Sequence, residues 1–235
     1  MIHKMIKMIS SKIALGFVAL ILTSAFASAF ARADSQNTGA QSGDPENGQK
    51  LYQTCVACHG DNGQGNDALQ APALAGQYDW YLAQQLDNYN TGKRGTDAAD
   101  TAGAQMLPMA KQVADEHAKA DVLAFIATLD AKNAATADIA AESSAETLRD
   151  GSRQYNAQCS ACHGSNGKGN VALKSPNLTL LSSDYLTRQL QNYKAGIRGY
   201  HQDDKYGKQM RMMANMISND KNLQDIVAFI QTLDK

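Results

Sequence analysis

The sequence predicts an all-α fold made of two tandem domains related by a 104-residue repeat. Three observations predict it. Apolar residues recur at i, i+3, i+4 and i+7 in several segments, the period of one helix face, and no convincing run of strands appears. Shifted by 104 positions, the chain matches itself without a gap from about residue 51 to 131. Each copy also carries the same pattern near its start: Cys55-Val56-Ala57-Cys58-His59 in the first, Cys159-Ser160-Ala161-Cys162-His163 in the second.

The elements follow in order. Asp44-Pro45 marks the first helix start, with Asp as the cap and Pro in the first turn. That helix leads into the first Cys-x-x-Cys-His, and a Gly-rich loop comes after it. A second helix runs from about Asp79 to Asn90, with Trp80, Leu82, Ala83 and Leu86 as apolar contacts and Gly92 beyond its end. The last helix of the first copy carries Val122, Leu123, Phe125, Ile126 and Leu129. Residues 132–142 are poor in large apolar side chains and read as the linker between domains at 34–131 and 143–235. The second copy starts near Ser143, with Glu146 three residues on as a capping box. Residues 184–194 repeat the second helix, and Ile226, Val227, Phe229, Ile230 and Leu233 form the last. Two domains of about one hundred residues point to duplication rather than to a solenoid of short repeats.

Cys-x-x-Cys-His is the pattern of covalent c-type haem attachment, in which two thiols bond the porphyrin and the adjacent His ligates iron. A redox dithiol, a zinc site and structural disulfides are the competing uses of such cysteines. All four cysteines lie in the two motifs, each pair directly before His, which favours two haems. Each domain is small for a purely hydrophobic core, and a buried haem adds apolar mass. A sixth ligand is often Met sulfur. Met106 and Met210 lie 104 apart, each 47 residues after its motif His, but Met109 and Met213 repeat as well, so the period leaves both pairs open. Met212 and Met216 have no Met counterpart in the first copy and are expected to pack.

Residues 1–33 read as a secretory signal peptide: Lys4, Lys7 and Lys12, an apolar run Ile13 to Leu22, then small residues. Export suits covalent haem attachment and makes the periplasm the expected compartment. The whole chain carries 22 basic and 23 acidic residues, and this segment holds Lys4, Lys7, Lys12 and Arg32 with no acid, leaving 18 against 23, net −5. That balance, with no basic stripe, argues against nucleic-acid binding. The remainder is unevenly charged: net −8 over 34–131 and net +3 over 132–235. Such polarity orients charged partners.

The two Cys-x-x-Cys-His sites, Ala71-Pro72-Ala73-Leu74-Ala75-Gly76-Gln77, Tyr81-Leu82-Ala83-Gln84-Gln85-Leu86 and the Met-bearing segments resemble the dihaem cytochrome c4 family over essentially the whole mature chain. The resemblance implies two tandem class I cytochrome c domains, each with a covalent haem c. It implies Cys55, Cys58, Cys159 and Cys162 as attachment residues. It selects His59 with Met106, and His163 with Met210, as iron ligands, since the family's ligand Met lies seven residues before an apolar position that opens the last helix region, here Val113 and Ile217. Pro72 and Pro176 match the proline whose carbonyl accepts a hydrogen bond from the ligand His, and Arg94 and Arg198 match a position near the haem propionates. Leu178-Thr179-Leu180-Leu181 departs from the first copy's Leu74-Ala75-Gly76-Gln77. Trp80, Tyr81 and Tyr185 are expected in the core, and His117 and His201, which do not repeat, in solvent.

The function so implied is single-electron transfer between redox proteins, membrane respiratory complexes among them. A quinol-oxidising complex is the expected donor and a terminal oxidase the acceptor. With both irons closed by protein ligands, no small-molecule substrate is expected at the haems. The alternatives are a cytochrome subunit of a periplasmic dehydrogenase, such as flavocytochrome sulfide dehydrogenase, and a dihaem peroxidase-type enzyme with one open iron. Loose membrane association is compatible with the carrier role.

Overall fold

A computed structural model describes residues 42–130 and 143–233. The expected signal peptide (1–33) and the expected linker (132–142) lie outside the described residues. Those described are helical, and they contain no strand beyond two isolated bridges.

The first half contains α1 (Pro45–His59), a short 3₁₀ segment (Asp67–Leu69), α2 (Asp79–Asn90), α3 (Thr101–Gln112) and α4 (Glu116–Ile126). The second contains α5 (Ala145–Gln158), α6 (Ser160–His163), α7 (Ser183–Lys194), α8 (Lys205–Ala214) and α9 (Asp220–Ile230). The Asp44 carboxylate accepts from the Glu46 and Asn47 amides, so α1 is capped as its sequence dictates. In the second copy the cap is Ser144, one residue later than the expected Ser143, because its Oγ accepts from the Thr147 amide. The Met-bearing segments are helices in their own right. Asp100 and Asp204 cap them by accepting from the Gly103 and Gly207 amides. Val113 therefore closes α3 rather than opening the last helix, which begins at Glu116 after its cap Asp115.

Each half closes by crossing its first and last helices at a glycine. A Cβ on Gly48 would stand 1.9 Å from the Asp121 carbonyl oxygen, and one on Gly151 would stand 2.0 Å from that of Asp225. Only hydrogen fits there, so the backbones approach as closely as helices can. Beside the crossings, Tyr52 packs on Phe125 at 5.2 Å and Tyr155 on Phe229 at 5.6 Å between ring centroids. Burying a large side chain of this kind is worth about 2–3 kcal/mol. The rings belong to two separate cores, one around Tyr52, Leu82, Val122 and Ile126, the other around Tyr155, Leu186, Leu223 and Ile226.

The halves meet through polar side chains. Gln77 Nε2 donates to the Asn177 carbonyl at 2.8 Å, and the Asn177 amide donates back to Gln77 Oε1 at 3.0 Å. Tyr78 Oη donates to the Lys168 carbonyl, and Arg188 to the Gln70 carbonyl. Trp80 does not join a core. It stacks on Tyr78 and takes Lys174 Nζ 4.9 Å from its ring centre, because the second half covers that face of α2.

Candidate functional site

The site of each half is built by the loop that follows its motif. After His59 the chain turns back at Gly65, whose φ of +83° suits glycine, and a Cβ there would stand 2.6 Å from the Ala73 nitrogen. The Gly65 amide donates to the His59 carbonyl, and an antiparallel bridge pairs Asn66 with Ala71. Pro72 comes directly after that bridge, so its carbonyl is delivered to the imidazole: His59 Nδ1 donates to it at 2.8 Å. The second half repeats the device with Gly169, the Asn170–Ser175 bridge and Pro176, and the His163 Nδ1–Pro176 oxygen distance is 3.2 Å. Tyr52 and Tyr155 pin the loop starts by donating to the Gly60 and Gly164 carbonyls.

Both imidazoles are buried. Burial lowers their pKa, and the proline carbonyls only partly offset it. Neutral imidazole is the form that binds a metal. With Nδ1 engaged by the carbonyl, Nε2 is the nitrogen left for an iron. All four thiols are free, Cys55 and Cys159 half-buried and Cys58 and Cys162 exposed, so no disulfide joins them. Burial raises the Cys55 and Cys159 pKa values. No group of three or more His, Cys, Asp or Glu clusters to hold a metal among the described residues, which removes the four-cysteine zinc reading.

In the first half, Cys55, Cys58 and His59 share one cavity with Met106 and Met109 of α3. Its walls are largely apolar: Leu74, Leu82 and Leu86, then Val113, Val122 and Ile126. Two free thiols, a buried imidazole, a thioether and an apolar crevice are the donor set and surroundings that fit a covalently tethered haem. Both Met side chains are half-buried, and the Gln112 amide donates to Met109 Sδ at 3.7 Å. In the second half, Met210 and Met213 are half-buried on α8. Met212 and Met216, expected to pack, are 63% and 55% exposed: α8 turns Met212 outward while Gly207 and Ala214 are buried, and Met216 lies in the turn beyond the helix end. Leu180 and Leu181, in the departing segment, are buried, and Leu181 also lines the first cavity.

Arg94 and Arg198 are buried at the junction of the halves, not solvated. Arg94 donates to Gln85 Oε1 at 2.9 Å, Tyr185 Oη at 3.1 Å and Gln189 Oε1 at 3.3 Å. Arg198 donates to Gln189 Oε1 at 2.7 Å, Gln85 Oε1 at 2.9 Å and Tyr81 Oη at 3.4 Å. Each guanidinium also lies over a tyrosine of its own half, Arg94 over Tyr89 and Arg198 over Tyr193. These hydrogen-bond partners are all neutral side chains, and Arg94 lines the first cavity. Burial raises the Tyr185 pKa, the two guanidiniums lower it, and the net direction is down. Sequence reasoning missed this network, although the signal existed: Tyr81/Tyr185 and Gln85/Gln189 are identities repeated at the same positions of the two helices. His117 is exposed as expected, whereas His201 is half-buried near Asp203.

Comparison with known proteins places these sites in context. The family model described as Cytochrome c matches residues 45–130 and again 148–234. Cytochrome c4 of Azotobacter vinelandii is 30% identical over 195 residues, covering 81% of this chain and 90% of that protein. The thiosulfate dehydrogenase electron acceptor of Thiomonas intermedia is 32% identical over 148 residues, 62% of this chain and 64% of that one. The crystal structure of reduced cytochrome c4 from Pseudomonas stutzeri superposes with a TM-score of 0.64 at 26% identity, covering 81% of this chain and 99% of that one.

Proposed function

Because the chain belongs to the cytochrome c family, as two such domains in tandem, we propose that it is a periplasmic dihaem carrier linking a quinol-oxidising complex to a terminal oxidase. The observation that supports this most is the duplication of a whole site. Each half brings a buried motif His tied to a proline carbonyl, two free thiols and a Met-bearing helix.

The cofactors are two covalent haem c groups, and haem c supplies a reversible one-electron iron couple. We assign Cys55, Cys58, Cys159 and Cys162 to attachment. We assign His59 with Met106, and His163 with Met210, to the irons. The Pro72 and Pro176 carbonyls fix the imidazole planes and keep Nδ1 protonated, so that Nε2 is the basic nitrogen. The apolar walls of the first cavity exclude water from its site. Arg94 and Arg198 supply positive charge beside the haem carboxylates, a role supported by their burial with neutral hydrogen-bond partners. Two ligands per iron leave no position for substrate, in keeping with an electron carrier rather than an enzyme. We place the signal peptide at 1–33, the domains at 34–131 and 143–235, and the linker at 132–142.

Membranes holding a haem–copper oxidase should reoxidise the reduced protein, with oxygen uptake that cyanide stops. A reduced protein that such membranes leave untouched contradicts the assignment. A second reading, the cytochrome partner of a periplasmic dehydrogenase, draws on the likeness to the Thiomonas intermedia acceptor. Copurification with a dehydrogenase would favour it.

A further inference from the structure

The two Met-bearing helices share an inward face but not an outward one. On α8 the outward residues Lys205, Lys208, Arg211 and Met212 are exposed, and so is Met216 in the turn just past its end. At the equivalent places of the first half stand Thr101, Ala104, Leu107, Pro108 and Gln112. Duplication therefore kept the face that builds the site and rewrote the face that meets solvent. The result is three cations around two large flexible thioethers, on the half of the chain with net positive charge. The acids at this end do not cancel it. Asp204 is buried on the Gly207 amide, leaving Asp203 as the exposed carboxylate beside the helix start. Lys208 Nζ bonds a carbonyl, that of Gln202, and pairs with no carboxylate among the described residues.

We infer that the outward face of α8 is the docking surface for a redox protein with an acidic face, and that electrons pass between carrier and partner through the second domain there. This rests on the carrier reading and names the partner's chemistry. Charge complementarity selects an acidic surface. Exposed Met side chains adapt to different partners and give an apolar centre without a rigid fit, as transient exchange requires. Location favours a redox protein over a lipid surface: the same helix carries Met210 on its inner side, so a docked partner is about one helix diameter, ~10 Å, from the site. In the exchange the carrier loses one electron and the partner gains it; no bond forms or breaks and no proton moves.

The test uses the mature holoprotein with both haems loaded. Hexacyanochromate(III), an inert paramagnetic trianion, should broaden backbone amide signals of residues 205–216 in the reduced protein before any others. Broadening centred elsewhere overturns the assignment. The second arm follows oxidation by hexacyanoferrate(III) at low salt. The variant K205E/K208E should slow one of the two oxidation phases by about tenfold. R149E/R153E changes the net charge equally on another helix of the same domain, and should change either phase less than twofold. If both variants slow oxidation alike, net charge alone acts and the docking surface is wrong. If wild-type protein exchanges no electrons with hexacyanoferrate(III), the carrier reading itself falls. If K205E/K208E abolishes binding to phosphatidylglycerol vesicles and spares both phases, the face is lipid-binding and the inference is overturned.

Discussion

Thr96 and Tyr200 occupy the same position in the two repeats, and their hydroxyl groups hydrogen-bond to each other across the junction of the halves. Equivalent residues that touch mark a pseudo-two-fold axis, as in a symmetric dimer whose subunits have been joined. Arg94 and Arg198, Gln85 and Gln189, and Tyr81 and Tyr185 are arranged around the same axis, each residue reaching partners of both repeats or of the opposite one. The junction is buried and polar, so its hydrogen bonds carry weight only as a complete set.

Removing one member should therefore uncouple the halves. Arg94→Leu leaves Tyr185 Oη without this donor and Gln189 and Gln85 with one fewer. We expect a loss of about 1–3 kcal/mol. Denaturant unfolding should broaden or split into two transitions as each half unfolds alone. A single transition at the wild-type midpoint contradicts this.

The helix crossings leave no room for a side chain at their glycines. Gly48→Ala and Gly151→Ala place a methyl within about 2 Å of a carbonyl oxygen, so the helices must separate. Overpacking of this kind costs about 1–3 kcal/mol. Calorimetry of each variant should show its own half melting earlier and the other half unchanged.

Stability should fall in alkali. Burial raises the phenol pKa values of Tyr52 and Tyr155, and that of Tyr89 is pushed up to about 12, with Arg94 partly opposing. For Lys119, burial works against the charge, but its bonds to Asp87 and Glu116 outweigh it and raise the pKa. The unfolded chain releases these protons near pH ~10, the ordinary value for phenols and amines, while the folded chain keeps them. Their contribution is thus complete below about pH 10 and is lost as pH rises through the folded values. Melting followed by far-ultraviolet dichroism should drop between about pH 10 and 12, less steeply for Tyr155→Phe. A melting temperature constant to pH 12 contradicts this.

Most helices were legible in the sequence because their signals are local. Asp44-Pro45 gives a cap and a first turn, and the 3.6 period of Val122 to Leu129 gives a buried face. The Met-bearing helices were not read, since α3 contains Pro108, a helix breaker by rule, and α8 is dominated by polar residues. The cysteines and imidazoles of the candidate site were legible because motif and repeat fix their spacing, whereas the prolines were singled out by the family resemblance and lie within hydrogen-bond reach of the imidazoles. The junction was not. Gln77 and Asn177 are not equivalent positions in the repeat, and their pairing exists only once two folded halves meet. Met212 shows the same limit: an unrepeated Met suggested packing, and only the helix register reveals that it faces solvent.

We propose that two separate sites, each closed by a His and a Met, carry one electron apiece. A redox titration of the holoprotein with Met106→Leu and Met210→Leu, each alone, tests it most directly. Each replacement should lower one haem potential by about 0.1 V or more, a fraction of the ~0.8 V range that axial ligands command, and spare the other. Two unchanged potentials in both variants would contradict the ligand assignment and with it the closed-site account.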